Sequence, residues 1–103
     1  MDIFQNQTSD TVTDAVRLTS GHESVFCWGV FDGATVKLQL CPVDPEQPNA
    51  DWFDYDEATF TEKSSVNGAI GGNIWVRGVV EDAGLGTSVN LVLRTVSQYA
   101  FKF

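Results

Sequence analysis

Basic residues are scarce in this chain. Six lysines and arginines stand against fourteen aspartates and glutamates in 103 residues, a formal net charge of −8. A nucleic-acid surface needs a stripe of cations to displace counterions from phosphates, and anionic membranes attract the same stripe. Both partner classes are therefore disfavoured. Histidine occurs once, as His22 in the turn TSGHES, with no serine or cysteine near it in a catalytic pattern, so it reads as polar surface. No apolar run approaches the ~18 residues of a membrane-spanning helix. The opening MDIFQNQTSDTVTD has neither the basic nor the apolar region of a signal peptide, which predicts a protein made and assembled in a cytosol. No helix follows the glycines of NGAIGGN (67–73), so they form no phosphate loop. These absences predict a protein that is not an enzyme and carries no cofactor and no metal.

What is present is β-sequence. Hydrophobic residues make up 43% and charged ones 19%, a globular mix, and 103 residues hold a single domain. Runs rich in β-branched and aromatic residues alternate with Gly, Asp, Asn and Pro, and no window of a dozen residues shows a helical stripe. Strands are predicted near 15–19, 24–31, 34–41, 51–55, 58–62, 65–70, 73–81 and 87–96, with a possible short one at 98–102. This spacing predicts an all-β, antiparallel sandwich of jelly-roll type over 15–103. Residues 1–14, polar apart from Ile3 and Phe4, read as an extended N-terminal arm that either frays or pairs with a neighbouring subunit.

Two hairpins are predicted. Asp32-Gly33 suits a two-residue turn with positive φ, placing Val30 opposite Thr35, Trp28 opposite Lys37 and Phe26 opposite Gln39. The alternate face, with Val25, Cys27 and Gly29 against Val36, Leu38 and Leu40, is apolar or small and is the expected core face. Cys41 has the opposite parity to Cys27. The two thiols then lie on opposite faces, beyond disulfide reach. The second hairpin turns within EDAGLGTS (81–88), with Ile74, Val76, Val80, Val89, Leu91 and Leu93 inward. Trp75, Arg77, Val79, Val92 and Arg94 face outward. Trp28 beside Lys37, and Trp75 near Arg77 and Arg94, are then candidate cation–π neighbours.

The outward tryptophans admit three readings. They are covered by a second sheet, the arm or the tail YAFKF; or they form a subunit or partner interface, where aromatics and Arg are enriched; or they are a platform for sugar rings. As an interface the candidates are Phe26, Trp28, Lys37, Trp75, Arg77 and Arg94, with Ile3 and Phe4 of the arm. The acidic stretch DPEQPNADWFDYDE (44–57) could gather carboxylates for calcium, but its spacing fits no calcium loop, and a solvated acidic loop is the simpler account.

The stretch GVFDGATVKLQL (29–40), followed by Pro42, Asp44, Trp52 and ATFT (58–61), resembles small structural proteins of tailed bacteriophages. WVRGVVEDAGLGTSVNLVL (75–93) resembles the closing part of the same group. The resemblance covers roughly residues 20–95. It implies a virion structural protein, and several small β-rich members of that class decorate or cement the capsid exterior, often as trimers. It thus implies the major capsid protein and further copies of this chain as partners. A neck or tail adaptor, a fibre-associated protein and a carbohydrate-binding module are the alternatives.

Overall fold

A computed structural model describes residues 1–19, 22–68, 70 and 73–95. The predicted strand at 98–102 and the tail YAFKF lie outside the described residues, as do parts of TSGHES and NGAIGGN. The described chain is all-β: β1 (Asp2–Gln7), β2 (Thr11–Val12), β3 (Val16–Leu18), β4 (Glu23–Val30), β5 (Thr35–Cys41), β6 (Phe53–Phe60), β7 (Ser64–Gly68), β8 (Ile74–Glu81) and β9 (Ser88–Thr95). They form two antiparallel sheets. Sheet A runs β1-β9-β4-β7; sheet B runs β2-β8-β5-β6, with β3 also pairing β8. All connections except β5–β6 and β2–β3 pass from one sheet to the other.

The core is the space between the sheets. Sheet A sends in Phe4, Val25, Cys27, Val89, Leu91 and Leu93; sheet B answers with Val36, Leu38, Ala58, Phe60, Val76 and Val80. The inward sets expected for both hairpins are buried except Gly29, which is exposed, with Leu40 and Ile74 packed at the margin.

The pairing differs from both expected hairpins. β4 pairs with β9 and β7, whereas β5 pairs with β8 and β6. Thus Phe26 faces Val92 and Ser65 rather than Gln39, Trp28 faces Asn90 rather than Lys37, and Val30 faces Ser88 rather than Thr35. The turn chemistry itself is as expected: Asp32 and Gly33 have φ of 45° and 86°, and the Ala34 amide donates to the Phe31 carbonyl at 2.9 Å. Phe31 and Ala34 are buried, however, and the strands part there to enclose the core. An apolar face is satisfied equally by a paired neighbour's face or by an opposing sheet, so alternation gives the face but not the partner. The 82–87 connection likewise joins β8 of sheet B to β9 of sheet A.

These two crossing turns hold each other. The Gly86 amide donates to Asp32 Oδ2 (2.7 Å), Thr87 Oγ1 donates to the Phe31 carbonyl (2.7 Å), and the Gly84 amide donates to Thr87 Oγ1 (2.9 Å).

Residues 1–14 supply strands rather than extending away from the domain. β1 pairs with β9 and β2 with β8. Phe4 is buried in the core and Ile3 packs against it. Gly78 makes room for both, because a Cβ there would sit 2.6 Å from Ile3 and 2.9 Å from the Phe4 ring. The predicted strands 51–55 and 58–62 are one strand, β6. It bulges where a step of two on β5 (Lys37 to Gln39) faces a step of five on β6 (Asp54 to Thr59).

Candidate functional site

Because β4 and β5 belong to opposite sheets, the expected single aromatic and cationic face is divided between the two outer surfaces of the sandwich. Trp28 and Lys37 are not neighbours, and Trp75 and Arg77 lie on sheet B while Arg94 lies on sheet A.

The outer surface of sheet B is a polar network. The Lys37 ammonium lies 3.2 Å from Glu81 and 3.7 Å from Asp54. Glu81 first, and Asp54 with it, hold that ammonium above its ordinary pKa. Arg77 Nε donates to Gln39 Oε1 (2.8 Å), and Gln39 Nε2 donates to Asp54 Oδ1 (2.8 Å). The Arg77 guanidinium stacks 4.2 Å from the centroid of Trp52, not on Trp75. Nothing in the sequence joined Trp52 to Arg77, and their partnership depends on the 42–52 chain folding back over the sheet.

That fold-back also accounts for Cys41. It shares the outer side of sheet B with Trp75, as parity predicts, yet it is fully buried, and its thiol reaches the Val43 carbonyl at 3.1 Å. Trp75 is half-buried beside Ala15, Asp44, Pro45 and Glu46. Both cysteines are free thiols, and burial pushes the Cys27 thiol up to about 12. Asp54, Asp56 and Glu57 of the acidic stretch belong to β6. Among the described residues, no three His, Cys, Asp or Glu side chains gather as a metal would require.

The outer surface of sheet A has the opposite character. Phe26, Trp28 and Val30 stand in a row along β4, 40%, 42% and 57% exposed. Phe26 lies beside Val92, which is buried although it faces outward, and beside Ser65. The nearby charges are Arg94, paired with Asp2 at 3.4 Å, and Lys63. A groove of about 310 Å³ opens between the rings of Phe26 and Trp28 and the chain at Lys63, Ser64 and Ser65.

Two irregularities fix this row. Gly29 has a φ of +127° where β4 runs so close to β9 that a Cβ would collide with the Ser88 carbonyl oxygen. Only glycine takes that conformation without strain. Asn90, buried between the two strands flanking it, accepts from the Asn6 amide (2.9 Å) and donates to the Trp28 carbonyl (3.2 Å). One side chain thus satisfies the backbone at the bulge of β1 and at the Trp28–Gly29 step. A buried asparagine within the apolar run SVNLVL was the signal that sequence reading passed over.

Of the eight interface candidates, Phe26, Trp28 and Arg94 share the outer surface of sheet A. Lys37, Trp75 and Arg77 share that of sheet B, and Ile3 and Phe4 belong to the interior and its margin. The uncharged aromatic row offers apolar area for contact and a groove. No family model, curated protein or solved structure matches this chain.

Proposed function

We propose that this chain is a structural protein of a tailed-bacteriophage virion. Its role is that of a decoration (cement) protein that binds the outside of the head shell through sheet A. The observation that carries the reading is the row Phe26–Trp28–Val30 on the outer surface of sheet A, an uncharged, aromatic stripe on a molecule of net charge −8. Partner interfaces are depleted of charge and enriched in aromatics at their centres, and this row has that composition. The shell as partner follows from the resemblance of residues 20–95 to phage structural proteins. The acidic remainder suits a molecule kept outside a shell packed with DNA.

We assign the sandwich to the jelly-roll type. Counting β2 and β3 as one interrupted strand, the sheet orders β1-β9-β4-β7 and β3-β8-β5-β6 support two interleaved Greek keys. The proposed assembly is a trimer, with several copies meeting the major capsid protein.

The test is to add the purified protein to head shells prepared without it and image them. The expected result is copies on the outer shell surface, with occupancy falling at least tenfold for Trp28→Ala while the fold is kept. Copies found only on the neck, tail or fibres, or no binding, would overturn the head assignment. A single-copy mass by light scattering at assembly concentration would overturn the trimer. One observation favours a second reading. The groove beside Trp28 places two rings next to Lys63, Ser64 and Ser65, the mixture of stacking faces and hydrogen-bonding groups that sugars use. Glycan-array binding that disappears in Trp28→Ala, with shells ignored, would put a carbohydrate module in place of cement.

A further inference from the structure

Edge strands carry backbone N–H and C=O groups without partners, and natural sheets blunt them with breaks, bulges and charge. Three of the four edges here are blunted. One edge of sheet B is broken into β2 and β3, with Asp14 between them. β1 shifts register twice against β9. β6 bulges and bears Asp54, Asp56 and Glu57. β7 carries none of these devices. Its residues Ser64–Gly68 pair with Cys27–Glu23 in unbroken register and include no charge and no proline. Among the described residues, no strand lies on its far side.

The surroundings of β7 specify what would lie there. Pairing with β4 stops at Cys27, so Trp28, Gly29 and Val30 run on past the end of β7, and the groove opens at this step. The outward side chains of β7 near the rings are short, Ser65 and Asn67, so nothing tall separates its free edge from Phe26. Behind β7, across the sandwich, stands the bulge of β6. A Cβ on Gly68 would meet the Tyr55 hydroxyl, whose pKa is raised by burial first and then by Glu57 beside it. Across residues 53–68 the acids are Asp54, which Lys37 of β5 already pairs, and Asp56, Glu57 and Glu62, against the single cation Lys63. A second copy joined edge to edge would bring these carboxylates against their own kind, so self-pairing is disfavoured.

We infer that the free edge of β7 is a strand-addition site for an extended, basic segment of another protein. The segment hydrogen-bonds to β7. Alternate apolar side chains lie over Ser65 toward Phe26 and Trp28, and the intervening lysines or arginines face the carboxylates of β6. This deepens the proposed reading, because it names the kind of segment the partner offers. It shares with that reading only the premise that this side of sheet A meets another protein.

The probe is the synthetic peptide Lys-Val-Lys-Phe-Lys-Val-Lys, titrated by fluorescence anisotropy. It is expected to bind at least tenfold tighter than the same peptide with glutamate for lysine. Two N-methylated forms, one blocking odd amides and one even, distinguish strand addition from charge attraction. One form should lose at least tenfold in affinity and the other little, since only alternate amides face β7. Ser65→Lys, at an exposed position, should weaken binding about fivefold or more with an unchanged circular dichroism spectrum. Equal binding of both N-methylated forms, or no saturable binding, would overturn the inference. Peptide binding with this pattern by a protein that ignores head shells leaves strand addition standing and removes cement. Shell binding untouched by Ser65→Lys does the reverse.

Discussion

At the scale of single residues, one core position is occupied by a residue without a side chain. Gly78 sits where Ile3 and Phe4 reach across from the opposite sheet, and a Cβ there would also lie 3.1 Å from Leu91. Gly78→Ala should cost about 1–3 kcal/mol through overpacking, seen as a lower urea midpoint. Combined with Phe4→Leu the two losses should sum to less than their separate values, because the smaller side chain vacates the contested space. Ile3 and Phe4 show how far residue identity could be read in the sequence. Two apolar residues in a polar segment marked it as one that buries something, but not what it buries them against. Their host is a glycine 74 positions away from Phe4, and nothing in β1 points to it. Cys27 and Cys41 were legible in parity and state. Cys41 was not legible in burial, because its cover is a loop and loops leave no period.

At the scale of elements, strand positions from residue 15 onward and most inward faces could be read, while β1, β2 and the strand partners could not. Val25, Cys27, Val36 and Leu38 alternate in the same way whether β4 pairs with β5 or faces it across the core. What decides is the pair of turns at one end, and their bond network involves residues more than fifty positions apart in sequence. Thr87 is its centre, accepting from Gly84 and donating to Phe31 while buried. Thr87→Val keeps the shape but takes from the Gly84 amide its acceptor and leaves the Phe31 carbonyl with the Ala34 amide alone, and should cost about 1–3 kcal/mol by urea denaturation. The 42–52 loop makes a second test. Arg77→Ala removes the stack on Trp52 and the bond to Gln39, at a cost of about 0.5–2 kcal/mol. It should also turn Cys41 from a thiol silent toward iodoacetamide into one labelled within the native state, read by mass spectrometry, while Cys27 stays unlabelled.

At the scale of the whole molecule, the sandwich separates two kinds of surface. Sheet B carries the ionic network of Lys37, Glu81, Asp54 and Arg77, whereas sheet A carries the aromatic row and the plain edge of β7. The sequence made the acidic balance and the outward tryptophans visible but merged them on one face, since that division follows from which sheet each strand joins. Alkaline pH probes the molecule as a unit. Cys27 and Tyr55 are held above their ordinary pKa values chiefly by burial, and Lys37 by Glu81. Each keeps its proton to higher pH in the folded state than in the unfolded one. Their contribution to stability is therefore whole below the unfolded values, near 9.0 for the thiol, and is lost as pH rises past them. The urea midpoint should stay level near neutrality and fall above pH ~9. Cys27→Ala should fall less steeply, since the buried thiol alone removes about 1.4 kcal/mol per pH unit within its window.

The crossing connections bear on how the chain comes to be folded at all. The central pairs, β4 with β9 and β5 with β8, join residues 34 to 72 positions apart, and β5–β6 alone among the adjacent strands forms a local pair. Loop-closure entropy must be met before such contacts repay it, which places the molecule among slow folders, in the range of about milliseconds to seconds. During synthesis sheet A can form only its β4–β7 pair until Ser88–Thr95 emerges, for β9 lies between β1 and β4. Until then Phe26, Trp28 and Val25 wait side by side in a chain whose many carboxylates are its main safeguard against premature association.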